Sequence, residues 1–213
     1  MNTFKKIIII FIIFSIFFYI SAISYVDAIA NDLQDSVFRL HIVANSNSTE
    51  DQNLKYKVRD NVLNYMNTIC CKAKTKSEAI QIAKNHSEDF YKIAKNTVEE
   101  NGFSYDVKLN FGNFNFPIKH YGDINLPSGN YDALKIELGE ATGQNWWCVM
   151  FPPLCFVDIS SGIFPDESKT LLKDSLSNEE EYILINEKKS SDMKFKFKLF
   201  EMFQNIKIKT AKK

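Results

Sequence analysis

Three histidines, His41, His86 and His120, and four cysteines, Cys70, Cys71, Cys148 and Cys155, are the side chains best suited to nucleophilic or metal chemistry in this 213-residue chain. A Cys148–His120 pair would be the arrangement of a cysteine hydrolase, in which an imidazole draws the proton from a thiol. Cys148 follows Trp146-Trp147 within an apolar run, whereas reactive thiols favour electropositive surroundings such as a helix N-terminus. No Cys-x-x-Cys pair is present and no histidine stands at ligand spacing, which argues against zinc. Gly-x-Ser-x-Gly, His-Glu-x-x-His and phosphate-cradling glycine loops are absent, and seven glycines are too few for most nucleotide sites. The expectation is a protein without catalytic residues, metal or cofactor; the rival is an exported cell-wall hydrolase using a Cys or His.

The cysteines have a second use. Cys148 and Cys155 bracket an eight-residue segment containing Pro152-Pro153, a bend that brings them within reach of a disulfide. Such a bridge is worth about 2.5 kcal/mol on the loop-entropy model. Four buried free thiols are the alternative.

Two segments are richer than a generic core requires. In Phe38 to Ser48, Arg39 and His41 share a strand face that ends in the amides and hydroxyls of Asn45-Ser46-Asn47-Ser48. The other runs from Gly143 through Trp146-Trp147-Cys148 to Asp158. Arg and Trp are frequent interface anchors. Arg39, His41, Asn45, Ser46, Trp146 and Trp147 are therefore the candidate partner-binding residues, against the plainer reading that aromatics at strand spacing are core.

The elements that must hold these residues follow from periodicity. Val37 to Ala44 alternates as a strand and breaks at Asn45. Asn47 or Ser48 caps a helix over Thr49–Cys70, with Glu50 and Asp51 in its first turn and a stripe of Leu54, Val58, Val62, Met66 and Ile69. Thr75-Lys76-Ser77-Glu78 is a capping box opening a second helix that runs to Asn101-Gly102, with His86 on its apolar stripe as a core residue. Tyr105 to Phe116, Asp132 to Leu138 and Trp146 to Phe151 then alternate with period two and read as an antiparallel meander; Pro165-Asp166-Glu167 opens a short helix with Leu171, Leu172 and Leu176. The fold class is α+β, an N-terminal export helix followed by amphipathic helices packed on one face of an antiparallel sheet.

Lys5 and Lys6 precede Ile7 to Ile20, fourteen uncharged residues, and the run ends in Ala28-Ile29-Ala30. This is the form of a secretory signal peptide cleaved after Ala30. Ile7 to Val26 would equally span a bilayer as an uncleaved anchor of about 30 Å. In either case the remainder is translocated, because the lysines stay inside. Residues 1–30 are thus the signal or anchor, and 31–186 an extracytoplasmic domain of ordinary size. Residues 187–213 form a basic tail with nine Lys, three acidic residues and four Phe. That tail fits either contact with an anionic membrane surface or docking on the core by its phenylalanines. The whole chain balances 26 basic against 26 acidic residues, which excludes a nucleic-acid binder driven by bulk charge.

The Arg-Leu-His-Ile-Val-Ala-Asn-Ser run with its trailing helix and the Gln-Asn-Trp-Trp-Cys…Phe-Pro-Pro-Leu-Cys-Phe-Val-Asp run together resemble the stage II sporulation protein R family of endospore-forming bacteria, over roughly Asp35 to Phe200. The resemblance implies a secreted signal made in the forespore and exported into the space between the two membranes. There it would trigger a membrane-embedded aspartic protease of the mother cell that processes pro-sigma-E. It transfers no catalytic residue.

Overall fold

The computed structural model describes residues 3–70, 72–121, 124–154 and 166–177. Its elements in chain order are α1 (Thr3–Ser36), β1 (Phe38–Val43), α2 (Thr49–Cys70), α3 (Lys76–Asn85), α4 (Ser87–Glu100), β2 (Val107–Phe116), β3 (Lys119–Tyr121), β4 (Ile124–Leu126), β5 (Gly129–Leu138), β6 (Asn145–Phe151) and α5 (Asp166–Ser175). The class is α+β, with an apolar N-terminal helix.

Four strands form one sheet in the order β2-β5-β1-β6, and β3 and β4 pair separately. β1 is parallel to β5 and antiparallel to β6, so the sheet is mixed rather than the antiparallel meander that the alternation suggests. Side-chain alternation has period two in either orientation and carries no sign of pairing direction. The reason β1 sits centrally is its composition: all six of its residues are buried, including Arg39 and His41. A strand buried on both faces belongs in the middle of a sheet.

One face of the sheet carries Phe38, Leu40 and Ile42 of β1, and α2, α3 and α4 pack on it through Leu54, Val58, Val62, Met66, Ala79, Ala83, Phe90, Ala94 and Val98. Ser48 caps α2, its hydroxyl accepting from Asp51 N at 3.1 Å. The forward half of the capping box is formed, Thr75 accepting from Glu78 N at 3.2 Å, while the Glu78 carboxylate accepts from Lys74 N at 2.9 Å, one residue before the cap. The single helix expected beyond it is two helices broken at His86. His86 is half-exposed rather than core; its Nδ1 lies 2.9 Å from Asp89 Oδ2 and 2.8 Å from the Tyr65 hydroxyl. Burial, reinforced by the hydrogen bond to Asp89 and its charge, pushes the Tyr65 phenol up to about 12.

The opposite face is covered over part of its area by the last turns of α1 (Ile29, Leu33), by Ile124 and Leu126 of β4, and by Leu172 of α5. Helices therefore cover more than one face. Unbroken helix crosses the boundary expected at residue 30, and Ile29 and Ala30 are 2% and 5% exposed. The segment 178–186 and the basic tail 187–213 lie outside the described residues.

Candidate functional site

The register of β1 with its two neighbours aligns side chains in rows on the face away from α2. Gly112, Ala133, Arg39 and Val149 make one row; Asn110, Lys135, His41 and Trp147 the next; Lys108, Glu137, Val43 and Asn145 the third. Ala133, Arg39 and Val149 of the first row are buried beneath α1 and the β3–β4 hairpin, with Gly112 exposed at the β2 edge, and the other two rows run out toward solvent, with Lys108, Asn110 and Asn145 exposed.

Arg39 is 0% exposed, and among the described residues it has no carboxylate partner. Its guanidinium carbon sits 4.1 Å from the Phe116 ring centre, 4.7 Å from Tyr131 and 5.7 Å from Tyr121. Its Nε donates to Cys148 O at 3.3 Å and Nη2 to the Tyr121 hydroxyl at 2.5 Å, while Nη1 has no partner. The Tyr121 hydroxyl in turn donates to Trp147 O at 3.1 Å. Aromatic faces supply the negative potential here, an interaction that strengthens when desolvated. Burial raises the Tyr121 and Tyr131 phenols, with the Arg39 charge opposing in both, so both remain neutral donors.

His41 stacks on Trp147 with ring centres 3.8 Å apart and planes 17° apart, and Phe116 meets it edge-on at 6.0 Å. Nε2 lies 2.6 Å from Asn145 Oδ1 and donates to it, which leaves Nδ1 buried without a partner. Burial lowers the imidazole pKa, the Lys135 and Arg39 charges add to this, and the Asn145 hydrogen bond and Glu137 oppose it.

Beyond the end of β1 the chain is locked onto α2. Asp51, 3% exposed, accepts from Ser46 Oγ at 2.6 Å, Asn45 Nδ2 at 2.9 Å and the Tyr105 hydroxyl at 2.8 Å. Burial alone would raise this carboxyl, but the hydrogen bonds from Ser46, Asn45 and Tyr105 outweigh it and hold the pKa below the usual range. Asn45 Oδ1 also accepts from Glu140 N at 2.9 Å, and Asn47 Oδ1 from Gln144 N at 2.8 Å. The close approach depends on glycine: a Cβ on Gly143 would stand 2.2 Å from Ser46 O, and Gly139 turns the chain at φ 57° with no room for a Cβ beside Asn45 Oδ1. Lys55, 1% exposed, reaches Gln144 O at 3.0 Å across the same junction.

The residues expected to meet a partner are thus distributed unevenly. Arg39 is enclosed, and Asn45 and Ser46 spend their side-chain polar atoms within the chain, on Asp51 and, for Asn45 Oδ1, on Glu140 N. His41 is 7% exposed. Trp146 points to the helical face, where the Arg59 guanidinium covers it at 4.5 Å and Tyr56 meets it edge-on at 5.4 Å. Trp147 is half-buried, at the rim of the polar rows. Sequence reasoning missed Phe116, Tyr121, Tyr131 and Asp51; only Asp51 had a local signal, a carboxylate following a run of amides and hydroxyls. Cys148 is disulfide-bonded, so no thiol is free there to serve as a nucleophile; Cys155, its expected partner, lies outside the described residues. His120, on β3, is bound to Asn125. Among the described residues no group of three or more His, Cys, Asp or Glu is placed to hold a metal. A groove of about 460 Å³ lies between the start of α4 and β2, lined by Tyr91, Leu109 and Phe111 with Lys108 and Asn110 at its margin.

An α+β domain carried on an apolar N-terminal helix, with a caged cation and a locked strand end at its centre, is the class of protein these features define. The chain belongs to the stage II sporulation protein R family, whose model matches residues 34–161. It is 40% identical to the Stage II sporulation protein R of Bacillus subtilis (strain 168) over 130 residues, 61% of this chain and 58% of that protein. The match therefore spans less than two thirds of the relative's length. No solved structure matches.

Proposed function

We propose that this chain is an intercellular signal of endospore formation, exported from the forespore, that prompts a membrane-embedded aspartic protease of the mother cell to process pro-sigma-E. Membership of the sporulation family carries the reading. Two features support it. The apolar helix directs the domain outward from a cytoplasmic Lys5-Lys6, and the most distinctive residues of the chain serve packing and latching rather than bond-making. The protease contact falls on the open rows of the sheet, Lys108, Asn110, Lys135, Glu137, Asn145 and Trp147, next to the groove beside β2. Trp147 supplies apolar area and the surrounding amides and charges supply register.

The test is a strain lacking this chain, complemented with variants and assayed for pro-sigma-E cleavage. Wild type should restore processing. Lys108→Glu combined with Asn110→Asp, both exposed, should abolish it at normal protein abundance. Full processing by that variant would move the contact elsewhere, and normal processing in the deletion strain would end the signalling reading.

A further inference from the structure

We infer that α1 is retained after export as a membrane anchor that is continuous with the folded domain, and that the domain sits directly on the outer surface of the membrane that carries it. The small-x-small sequence Ala28-Ile29-Ala30 invites cleavage after Ala30, yet that peptide bond lies inside a helix that is already part of the core. Ile29 is 2% exposed, Ala30 5% and Leu33 0%, and Ile29 and Leu33 pack with Val37, Phe116, Val149 and Leu172 in the core on this face of the sheet. The polar residues of the same turns are engaged as well. Asp32 accepts from Ser177 N at 2.8 Å and Ser177 Oγ at 2.6 Å; Gln34 Oε1 accepts from Asn130 N at 3.2 Å; Lys76 Nζ donates to Gln34 O at 2.7 Å; and Ser36 Oγ donates to Ser175 O at 2.8 Å. Removing residues 1–30 would take Ile29 and Ala30 out of a closed core and place a charged amino terminus beside Leu33. A leader peptide designed for removal has no reason to contribute buried side chains to the product.

The exposed part of α1 is of the opposite character. Phe4, Phe11, Phe14, Phe17, Phe18 and Ile20 are each more than half exposed. Ile7 to Val26 is twenty residues, about 30 Å of helix, the thickness of a hydrocarbon core. Only Asp27 and Ala28 separate this span from the buried Ile29, a rise of about 4.5 Å. A junction that short leaves no linker, so the domain meets the headgroups. The contacts at the end of α5 agree: Ser175 pairs with Ser36, and Ser177, just past the helix, with Asp32, about one turn closer to the span. The inference rests on the packing of α1 alone and stands whether or not the signalling reading does.

The experiment uses the full chain with a C-terminal tag, produced in a sporulating host, fractionated by alkaline carbonate extraction, with the N-terminus of the recovered protein read by mass spectrometry. Ala28→Leu, an exposed change that removes the small residue needed for cleavage after Ala30, is run beside wild type. Both should be full-length and confined to the carbonate-resistant membrane pellet. A shortened species of any length in the wild type, or full-length protein in the soluble fraction, overturns the inference; a shortened wild type restored to full length by Ala28→Leu would identify cleavage after Ala30 as the reason.

Discussion

Replacing Asp51 by Ala tests whether the Asn45-Ser46 turn is a latch or a recognition surface. The carboxylate accepts three side-chain hydrogen bonds, from Ser46, Asn45 and Tyr105. Hydrogen bonds to a charged group contribute about 1.5–3 kcal/mol each, and their donors lose the partner when it is truncated. The three donors are themselves only half-buried, so water reaches them in part after the change. A net loss of about 3 kcal/mol follows rather than the sum of three separate terms. For a domain of this size that lowers the thermal midpoint by roughly 6–12 °C. Ser46→Ala removes one donor and should cost about 1 kcal/mol. The assay is thermal unfolding of the full chain in detergent, followed by circular dichroism, with pro-sigma-E processing and protein abundance measured in parallel. The pH dependence supplies a second check. A carboxyl with a depressed folded pKa contributes stability above its unfolded value, near 3.8, and loses it as pH falls through the folded value. The gap between wild type and Asp51→Ala should therefore be widest at neutral pH and shrink in acid. A midpoint within a degree of wild type, or loss of processing by a variant that is as stable and abundant as wild type, would refute the latch.

His41 gives the same sign in a higher pH window. Its folded pKa is below the unfolded 6.5, so stability is complete above that value and declines as pH drops toward the folded pKa; urea titrations between pH 8 and pH 5 should show a slope that His41→Gln lacks. Gly143→Ala, whose new Cβ would strike the Ser46 carbonyl, should cost about 3 kcal/mol and lower the urea midpoint, whereas Gly102→Ala at the end of α4 meets no neighbouring atom and strains only its positive φ. A synthetic peptide of residues 187–213 should cosediment with phosphatidylglycerol vesicles in low salt and release in high salt, each lysine contributing about 1 kcal/mol near the surface; retention in high salt or no binding at all would remove the membrane role of the tail.

Helix α2 was legible to its ends because every local signal agreed. A hydroxyl cap, two acidic residues in the first turn and an apolar stripe all specify Thr49–Cys70, and the core confirms the stripe at Leu54, Val58, Val62 and Met66. The break at His86 was not legible, since the stripe keeps its period across it and the interruption is enforced by tertiary packing of Tyr65 and Phe90 against the junction. Pairing β1 parallel to β5 involves residues about 94 positions apart, Arg39 with Ala133 among them, and nothing local encodes it. The same distance hid the surroundings of Arg39. A cation alternating with hydrophobes reads as the exposed side of a strand, because the four aromatic rings that enclose or flank it come from β2, β3, β5 and β6. Asn45 and Ser46 stood out as unusual residues, but the sequence could not show that their polar side chains bond within the chain, since amides and hydroxyls look alike whether they bind a partner or their own fold.

The unbroken passage of α1 into the core also sets the reach of the molecule. A domain of about 150 residues is roughly 40 Å across. With α1 retained as the proposed anchor and no linker, the domain's far side would stay within about that height of the bilayer, and its rotation would be tied to that of the helix. Encounters would then be confined to two dimensions, and the surface density of copies, not their concentration in a volume, would govern how often a partner in a facing membrane is met. On the proposed signalling reading, contact would then become a measure of the gap: two membranes brought to within a domain's thickness would exchange the message, and membranes further apart would not.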